Sequence, residues 1–414
     1  MKKAYFADYI YYNHEVYEKA WLLVENDLIK GISTSEQEVE TYSKHRFENS
    51  AIFPGLINTH NHLGMGMLRG IADDLPLMEW LNNYIWPTEE KVISPEFVFK
   101  STLLSLAESI RSGVTCINEM YFLPLECKKA METAGIRGVV GFGVLDSTKR
   151  AFELADKSES SDLVSLSICP HAPYTVPFNI MKECVAYAEK NKLMLHSHLA
   201  ETLDEENQIL ERYGKRPVEY MLDAGAFDIP SIFAHCVHIN DSDMKIMVDK
   251  KVNISHCLES NMKLASGFSP VVKMQKAGIN VSIGTDGASS NNDISMIGEM
   301  NTVSKFHKAF NMDATALPAK QVLEMATSCG AKALYKDNIG NLVENNKADF
   351  FVLSFDAVHM TPVYNPISHL IYTAKDNDIT DVFINGSHIM KDRKILTFDE
   401  EEMKQYARKL ATTI

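Results

Sequence analysis

The chain is 414 residues long and carries 41 basic against 55 acidic side chains, a formal net charge of −14. With 45% hydrophobic and 9% aromatic residues it holds enough apolar material for a sizeable core, which excludes a disordered chain. The acidic excess argues against a nucleic-acid partner, since binders of phosphate backbones present surplus Lys and Arg, but it leaves a nucleoside-sized substrate open.

Seven cysteines, an odd number without a CxxC pair, predict reduced thiols in a cytoplasmic protein rather than a disulfide framework. The opening MKKAYFADYIYYNHEVYEKAW lacks the apolar stretch and small-residue cleavage site of a secretion signal. No segment approaches the roughly 18 to 20 apolar residues that span a bilayer, so no membrane partner is expected.

Taken in chain order, Ala4–Tyr12 and Trp21–Ile32 alternate as strands do, with Asn26-Asp27 as a turn. From about residue 54, short β-branched runs alternate with amphipathic stretches of helical period, among them Glu96–Arg111, Leu125–Ala134, Phe178–Lys190, Thr202–Leu222, Asp241–Lys250 and Pro270–Ala277. The strands are expected to end near Asn58, Asn118, Asp146, His171, His198, His235, His256 and Asp286. Eight strand–helix units in series predict an α/β fold of the TIM type, a (β/α)₈ barrel, with its site at the C-terminal strand ends. Strands then return at Ala348–Ser354 and Thr380–Asn385, with Gly386 as a turn, before a charged helix from Asp399. The terminal segments, 1–53 plus 337–414, are expected to combine as a small composite β-sandwich domain beside a barrel domain over 54–336.

Side-chain chemistry concentrates where that architecture places function. In Phe53-Pro54-Gly55-Leu56-Ile57-Asn58-Thr59-His60-Asn61-His62, alternate side chains of a strand share a face, so His60 and His62 present two imidazoles together. Alone, such a pair reads equally as two surface histidines. The fifth strand adds His196-Ser197-His198-Leu199-Ala200-Glu201, the sixth Ala234-His235-Cys236-Val237-His238 and the eighth Ile283-Gly284-Thr285-Asp286-Gly287. His60, His62, His198 and Asp286 suit one Zn²⁺ per subunit, or Fe²⁺ or Mn²⁺, with one position left for water. His235 would stand beside them, free to hydrogen-bond that water. Core packing alone would place Val, Ile or Leu at such positions.

These blocks resemble the amidohydrolase superfamily, in the branch with a single catalytic metal. The likeness runs through PGLINTHNH, RGIADDLPLMEWL, WPTEE, MYF, CPHAPY, HSHLAET, AHCVH, SHCLESNMKLASGFSPV, IGTDGASSNND and KADFFVL. Their order and spelling are most similar to the 5′-methylthioadenosine/S-adenosylhomocysteine deaminase group. Relatives with two metals usually bridge them through a carboxylated lysine at the end of the fourth strand. Here Leu163–His171 contains no lysine, and Lys182 and Lys192 fall outside that end, so one metal is expected.

The resemblance implies hydrolytic deamination of a 5′-modified adenosine: 5′-methylthioadenosine, S-adenosylhomocysteine, 5′-deoxyadenosine or adenosine. In that reading Asp286 takes a proton from water, His235 orients the water, and Glu201 protonates N1 of the adenine ring, the three being the catalytic residues. Glu89 matches the position that contacts the ribose hydroxyls, His171 the base or sugar, and Arg150 the amino-acid tail of S-adenosylhomocysteine. Trp80, Trp86 and Met65 or Met67 are candidates for the wall of the 5′ pocket. The resemblance further implies a homo-oligomer acting on a small nucleoside. The alternative is another mononuclear amidohydrolase, such as a guanine or triazine deaminase or a chlorohydrolase, which needs neither Glu89 nor His171.

Two departures from the group stand out. Phe142 occupies a place where relatives that accept the homocysteine tail can carry a second arginine. His256-Cys257-Leu258-Glu259-Ser260 has no proline near Glu259, where relatives usually do, which leaves the course of that loop open. Other apparent motifs carry nothing. Gly64-Met65-Gly66-Met67-Leu68-Arg69-Gly70 misses the dinucleotide fingerprint by one position, and there is no GxxxxGK[ST], HExxH or GxSxG. Cys257 lacks the surroundings that activate a thiol and reads as an inert buried residue.

Overall fold

The computed structural model describes residues 1–413. Strands β1 (Lys2–Tyr12), β2 (Glu15–Glu25), β3 (Leu28–Ser33) and β4 (Ser43–Pro54) come first. Next come β5 (Leu56–Asn61), β6 (Val114–Met120), β7 (Arg137–Val144), β8 (Val164–Pro170), β9 (Met194–Leu199), β10 (Ser231–His235), β11 (Asn253–His256) and β12 (Asn280–Ile283). Strands β13 (Phe350–Ser354), β14 (Ile379–Ile384), β15 (Ser387–Lys391) and β16 (Lys394–Ile395) follow.

Strands β5 to β12 lie side by side in chain order, every pair parallel, with helices in the connections. All eight expected strands are present, and the architecture is the expected barrel with parallel strands buried on both faces. Short polar side chains close the barrel between β5 and β12. Thr59 Oγ1 reaches Ser282 Oγ at 2.9 Å and donates to the Ile283 carbonyl at 2.9 Å, and Asn58 Nδ2 donates to Thr285 Oγ1 at 2.8 Å. Gly284 makes this approach possible, because a Cβ there would sit 2.8 Å from the His60 backbone nitrogen.

The remaining strands form one mixed sheet in the order β16-β15-β14-β13-β4-β1-β2-β3. Tyr5 on β1 and Phe383 on β14 are three strand steps apart, about 14 Å across a flat sheet. Their ring centroids nevertheless lie 4.9 Å apart, so the sheet folds over on itself around Tyr5, Ile10, Leu22, Phe350 and Phe383. Strand β4 was not foreseen in the sequence, since Ser43-Lys44-His45-Arg46 is polar and exposed; pairing in parallel with β1 holds it extended.

Helix termini follow local chemistry. Ser94 accepts from Phe97 N at 3.2 Å to start the helix Pro95–Arg111, with Pro95 in its first turn. The single helix expected over Thr202–Leu222 is two, Leu203–Tyr213 and Pro217–Asp223. Gly214 at φ 65° ends the first in the left-handed conformation and Pro217 opens the second. All seven cysteines are free thiols. Among the described residues no helix is long and apolar enough to cross a membrane.

The terminal sheet is tied to the base of the barrel by Arg137, at the start of β7. Its Nε donates to Asp349 Oδ2 at 2.8 Å and its Nη2 to Asp349 Oδ1 at 3.2 Å, with both side chains buried. Asn385 N donates to the same carboxylate at 2.7 Å. Arg137→Ala leaves that carboxylate buried without its cation, and the expected loss is about 3–5 kcal/mol of stability, read as a lower urea midpoint.

Candidate functional site

The strand ends of β5, β9, β10 and the turn after β12 bring the sequence-selected residues to one place. His60 Nε2 and His62 Nε2 lie 3.3 and 3.2 Å from Asp286 Oδ1, and His198 Nε2 lies 3.4 Å from His62 Nε2. Ligand atoms of His60, His62 and Asp286 fall within 4.8 Å of one another, as do those of His60, His198 and His235. His235 therefore reaches the same cluster as the residues expected to hold the metal.

The far side of each ring is occupied. His62 Nδ1 donates to the Met120 carbonyl, His198 Nδ1 to the His171 carbonyl at 2.6 Å, and His235 Nδ1 meets Asn261 Oδ1 at 2.8 Å. With one proton fixed on Nδ1, the neutral form of each ring presents an Nε2 lone pair to the centre of the cluster. His60 Nδ1 meets His196 Nε2 at 2.9 Å, and His60 Nε2 is buried without a hydrogen-bond partner. Convergent imidazole nitrogens, one of them orphaned, around a carboxylate oxygen fit a divalent cation of the zinc type.

Burial opposes the charge on Asp286, but His60 and His62 hold its pKa well below the carboxylate range. Burial disfavours protonation of His62, yet the adjoining Asp286 carboxylate pushes it up to about 9. Burial lowers His60 to about 4 and His198 well below its ordinary value, so both are neutral donors at pH 7.

Glu201 follows β9 on a turn whose Ala200 adopts φ 50°. Its Oε2 stands 3.8 Å from His235 Nε2, and burial raises its pKa. Left-handed backbone at the non-glycine residues Ala200, His235, Cys236 and Asp286 concentrates local strain at these strand ends, as it does at many working sites.

A cavity of about 740 Å³ opens above the cluster, and His62, Glu89, Arg150, His171, His198, Glu201, His235 and Asp286 all line it, with His60 beneath. Glu89 is buried, is pushed up to about 7 by that burial, and accepts from the Tyr121 hydroxyl at 2.6 Å. His171 is neutral, lowered to about 3 by burial. Arg150 is exposed at the rim. Met65, Trp80, Trp86 and Phe142 belong to the wall, whereas Met67 faces a separate groove. Glu259 hydrogen-bonds Thr302, on the helix after β12, and is not among the lining residues.

Sequence reasoning missed Asn261 and Ser260, which hold His235 and Asp286, and His196, which backs His60. For His196 the signal was present, as residues two apart on β9 share a face with His198.

Residues 51–389 match the amidohydrolase family. The chain is 40% identical over 406 residues to a 5-methylthioadenosine/S-adenosylhomocysteine deaminase of Syntrophomonas wolfei subsp. wolfei, covering 95% of this chain and 94% of the other. It is 40% identical over 402 residues to a 5′-deoxyadenosine deaminase of Methanocaldococcus jannaschii, covering 94% and 95%. Its fold superposes on a crystal structure of an adenosine deaminase from Xanthomonas campestris with bound zinc at a TM-score of 0.95 and 34% identity, covering 99% and 98%. On the barrel, on its strand-end histidines and on these similarities, the chain belongs to the amidohydrolase family.

Proposed function

We propose that the chain is a metal-dependent aminohydrolase that converts a 5′-modified adenosine to the inosine analogue and ammonia. The observation that carries this reading is the placement of Glu201, His235 and Asp286 around one end of a cavity whose other walls offer Glu89 and His171. The relatives named for 5-methylthioadenosine/S-adenosylhomocysteine and 5′-deoxyadenosine deamination support the substrate class.

His60, His62, His198 and Asp286 would hold one Zn²⁺, with Fe²⁺ or Mn²⁺ as substitutes. A divalent cation there supplies Lewis acidity, bringing the pKa of water towards about 7. Asp286 accepts a proton from the attacking water, and His235 orients that water through Nε2. Glu201, whose pKa is raised by burial, donates in its protonated form to N1 of the adenine as water adds to C6. Protons then pass to the exocyclic amine, the C6–N bond breaks, and ammonia leaves. Glu89 accepts from the ribose hydroxyls, and His171 contacts the base or sugar.

Phe142, Val144, Leu145 and Leu154 give the cavity an apolar side, with Arg150 only at its rim. That favours a 5′-methylthio or 5′-deoxy substituent over the zwitterionic homocysteine tail, which pairs poorly with an apolar wall. The same reading divides the chain into a barrel domain, 54–336, and a composite domain, 1–53 plus 337–414. Ammonia release by zinc-loaded protein is expected with 5′-methylthioadenosine, 5′-deoxyadenosine and adenosine, more slowly with S-adenosylhomocysteine, and not with guanine or a triazine. Turnover of free bases or triazines with silence on every nucleoside would overturn it.

A further inference from the structure

The carboxylate of Glu299 lies outside the cavity and is fully buried on the helix Met296–Phe310. Its Oε1 accepts from the backbone nitrogens of Leu258 at 2.7 Å and Glu259 at 3.2 Å, the first two residues of the short helix Leu258–Lys263. The next two residues of that helix are the ones that hold the reacting side chains. Ser260 Oγ donates to Asp286 Oδ2 at 2.6 Å, and Asn261 Oδ1 meets His235 Nδ1 at 2.8 Å. On its other side, Glu299 Oε2 accepts at 3.4 Å from Asn291 Nδ2, which also donates to the Thr285 carbonyl beside Asp286 at 2.9 Å.

We propose that Glu299 is a positioning residue, clasping the turns after β11 and β12 so that Ser260 and Asn261 set Asp286 and His235 for reaction. Ser260 shares Oδ2 with Ser290, whose Oγ donates to it at 2.9 Å, and together they leave Oδ1 of Asp286 towards His60 and His62. Asn261 fixes the ring plane of His235 and directs Nε2 to the cavity.

The same device recurs at two other strand ends. Glu205, buried, accepts from Ala200 N at 3.1 Å and Glu201 N at 2.9 Å, just past His198. Glu119, also buried, accepts from Leu63 N at 2.9 Å, next to His62. Glu299 differs from them in reaching the segments that carry the partners of two reacting groups. Buried carboxylates are costly to place, and each of these accepts from backbone nitrogens within a few residues of a site residue.

The roles of His235 and Asp286 rest on the deaminase reading above, so the test carries a readout independent of turnover. Glu299→Met keeps the volume and removes the acceptor; Glu299→Asp withdraws it by one methylene. Both are expected to lower kcat by about 10²-fold, the effect of a displacement of about 1 Å, with KM nearly unchanged. Glu299→Gln, which retains an acceptor oxygen, keeps most of the turnover. Adding Asn261→Ala and Ser260→Ala together to Glu299→Asp costs little more than the double replacement alone, because all act through one link. Release of bound zinc to a chelator is faster from Glu299→Asp than from the unaltered protein, since Asp286 is loosened. If the unaltered protein turns over no nucleoside, the deaminase reading fails alone and zinc release decides the proposal. Folded Glu299→Asp with unchanged kcat and unchanged zinc release, or with effects that multiply with those at Ser260 and Asn261, would overturn it.

Discussion

Replacing Glu201 by glutamine is expected to lower kcat on the preferred nucleoside by about 10²–10⁴-fold, the range for a lost general acid and base. The replacement is nearly isosteric, and the backbone around it is held independently. Glu201 N donates to Glu205 Oε2 at 2.9 Å and Ala200 N to Glu205 Oε1 at 3.1 Å, so the turn keeps its shape when the side chain changes. What changes is proton chemistry. Burial raises the Glu201 pKa, which favours the protonated carboxyl as a donor to a ring nitrogen. Glutamine still hydrogen-bonds but cannot give up and recover a proton. Metal content, measured by atomic absorption, should match the unaltered protein because Glu201 is not a ligand in this arrangement. A variant that keeps more than a tenth of the turnover would remove Glu201 from the mechanism.

That Glu201 can be singled out at all reflects how much of the barrel is written locally. Runs of β-branched and apolar residues, each with a polar residue at or within a few positions of its end, mark the eight barrel strands. His60 and His62 announce a shared face by their spacing alone. Asp286 is subtler, since β12 stops at Ile283 and the carboxylate turns inward on a left-handed residue at φ 61°, a conformation that spacing cannot predict. Asn261 and Ser260 were invisible for a different reason. Their role depends on the six-residue helix Leu258–Lys263 running beneath His235 and Asp286, which is a matter of tertiary packing. Strand β4 was missed because its polar half gains its conformation from the β1 ladder rather than from its own composition. The break at Gly214 was missed although its signal was present, since Gly214-Lys215-Arg216-Pro217 carries both a helix stop and a helix start.

Stripping divalent metal with a chelator is expected to abolish turnover, and zinc to restore it to the unaltered chain but not to His62→Ala. Four Nε2 atoms and one carboxylate oxygen converge at the barrel mouth, and His60 Nε2 is buried without a hydrogen-bond partner. Without a cation, His60 Nε2 has no hydrogen-bond partner, and His62 is drawn towards the protonated form by Asp286. A cation that binds this folded cluster and not the unfolded chain stabilises the fold as well, by about 2.7 kcal/mol when free zinc stands at a hundred times its dissociation constant. Calorimetry should therefore show zinc raising the unfolding temperature of the unaltered chain, with a much smaller shift for His62→Ala. His62 is the informative residue to remove, since its Nδ1 is anchored on Met120 while its Nε2 lies near both Asp286 and His198. Losing it opens the ligand set without touching the Asn58 and Thr59 contacts that close the barrel between β5 and β12. Turnover that survives full removal of metal, or zinc-dependent stabilisation that persists unchanged in His62→Ala, would mean that these histidines serve the barrel's packing instead of its chemistry.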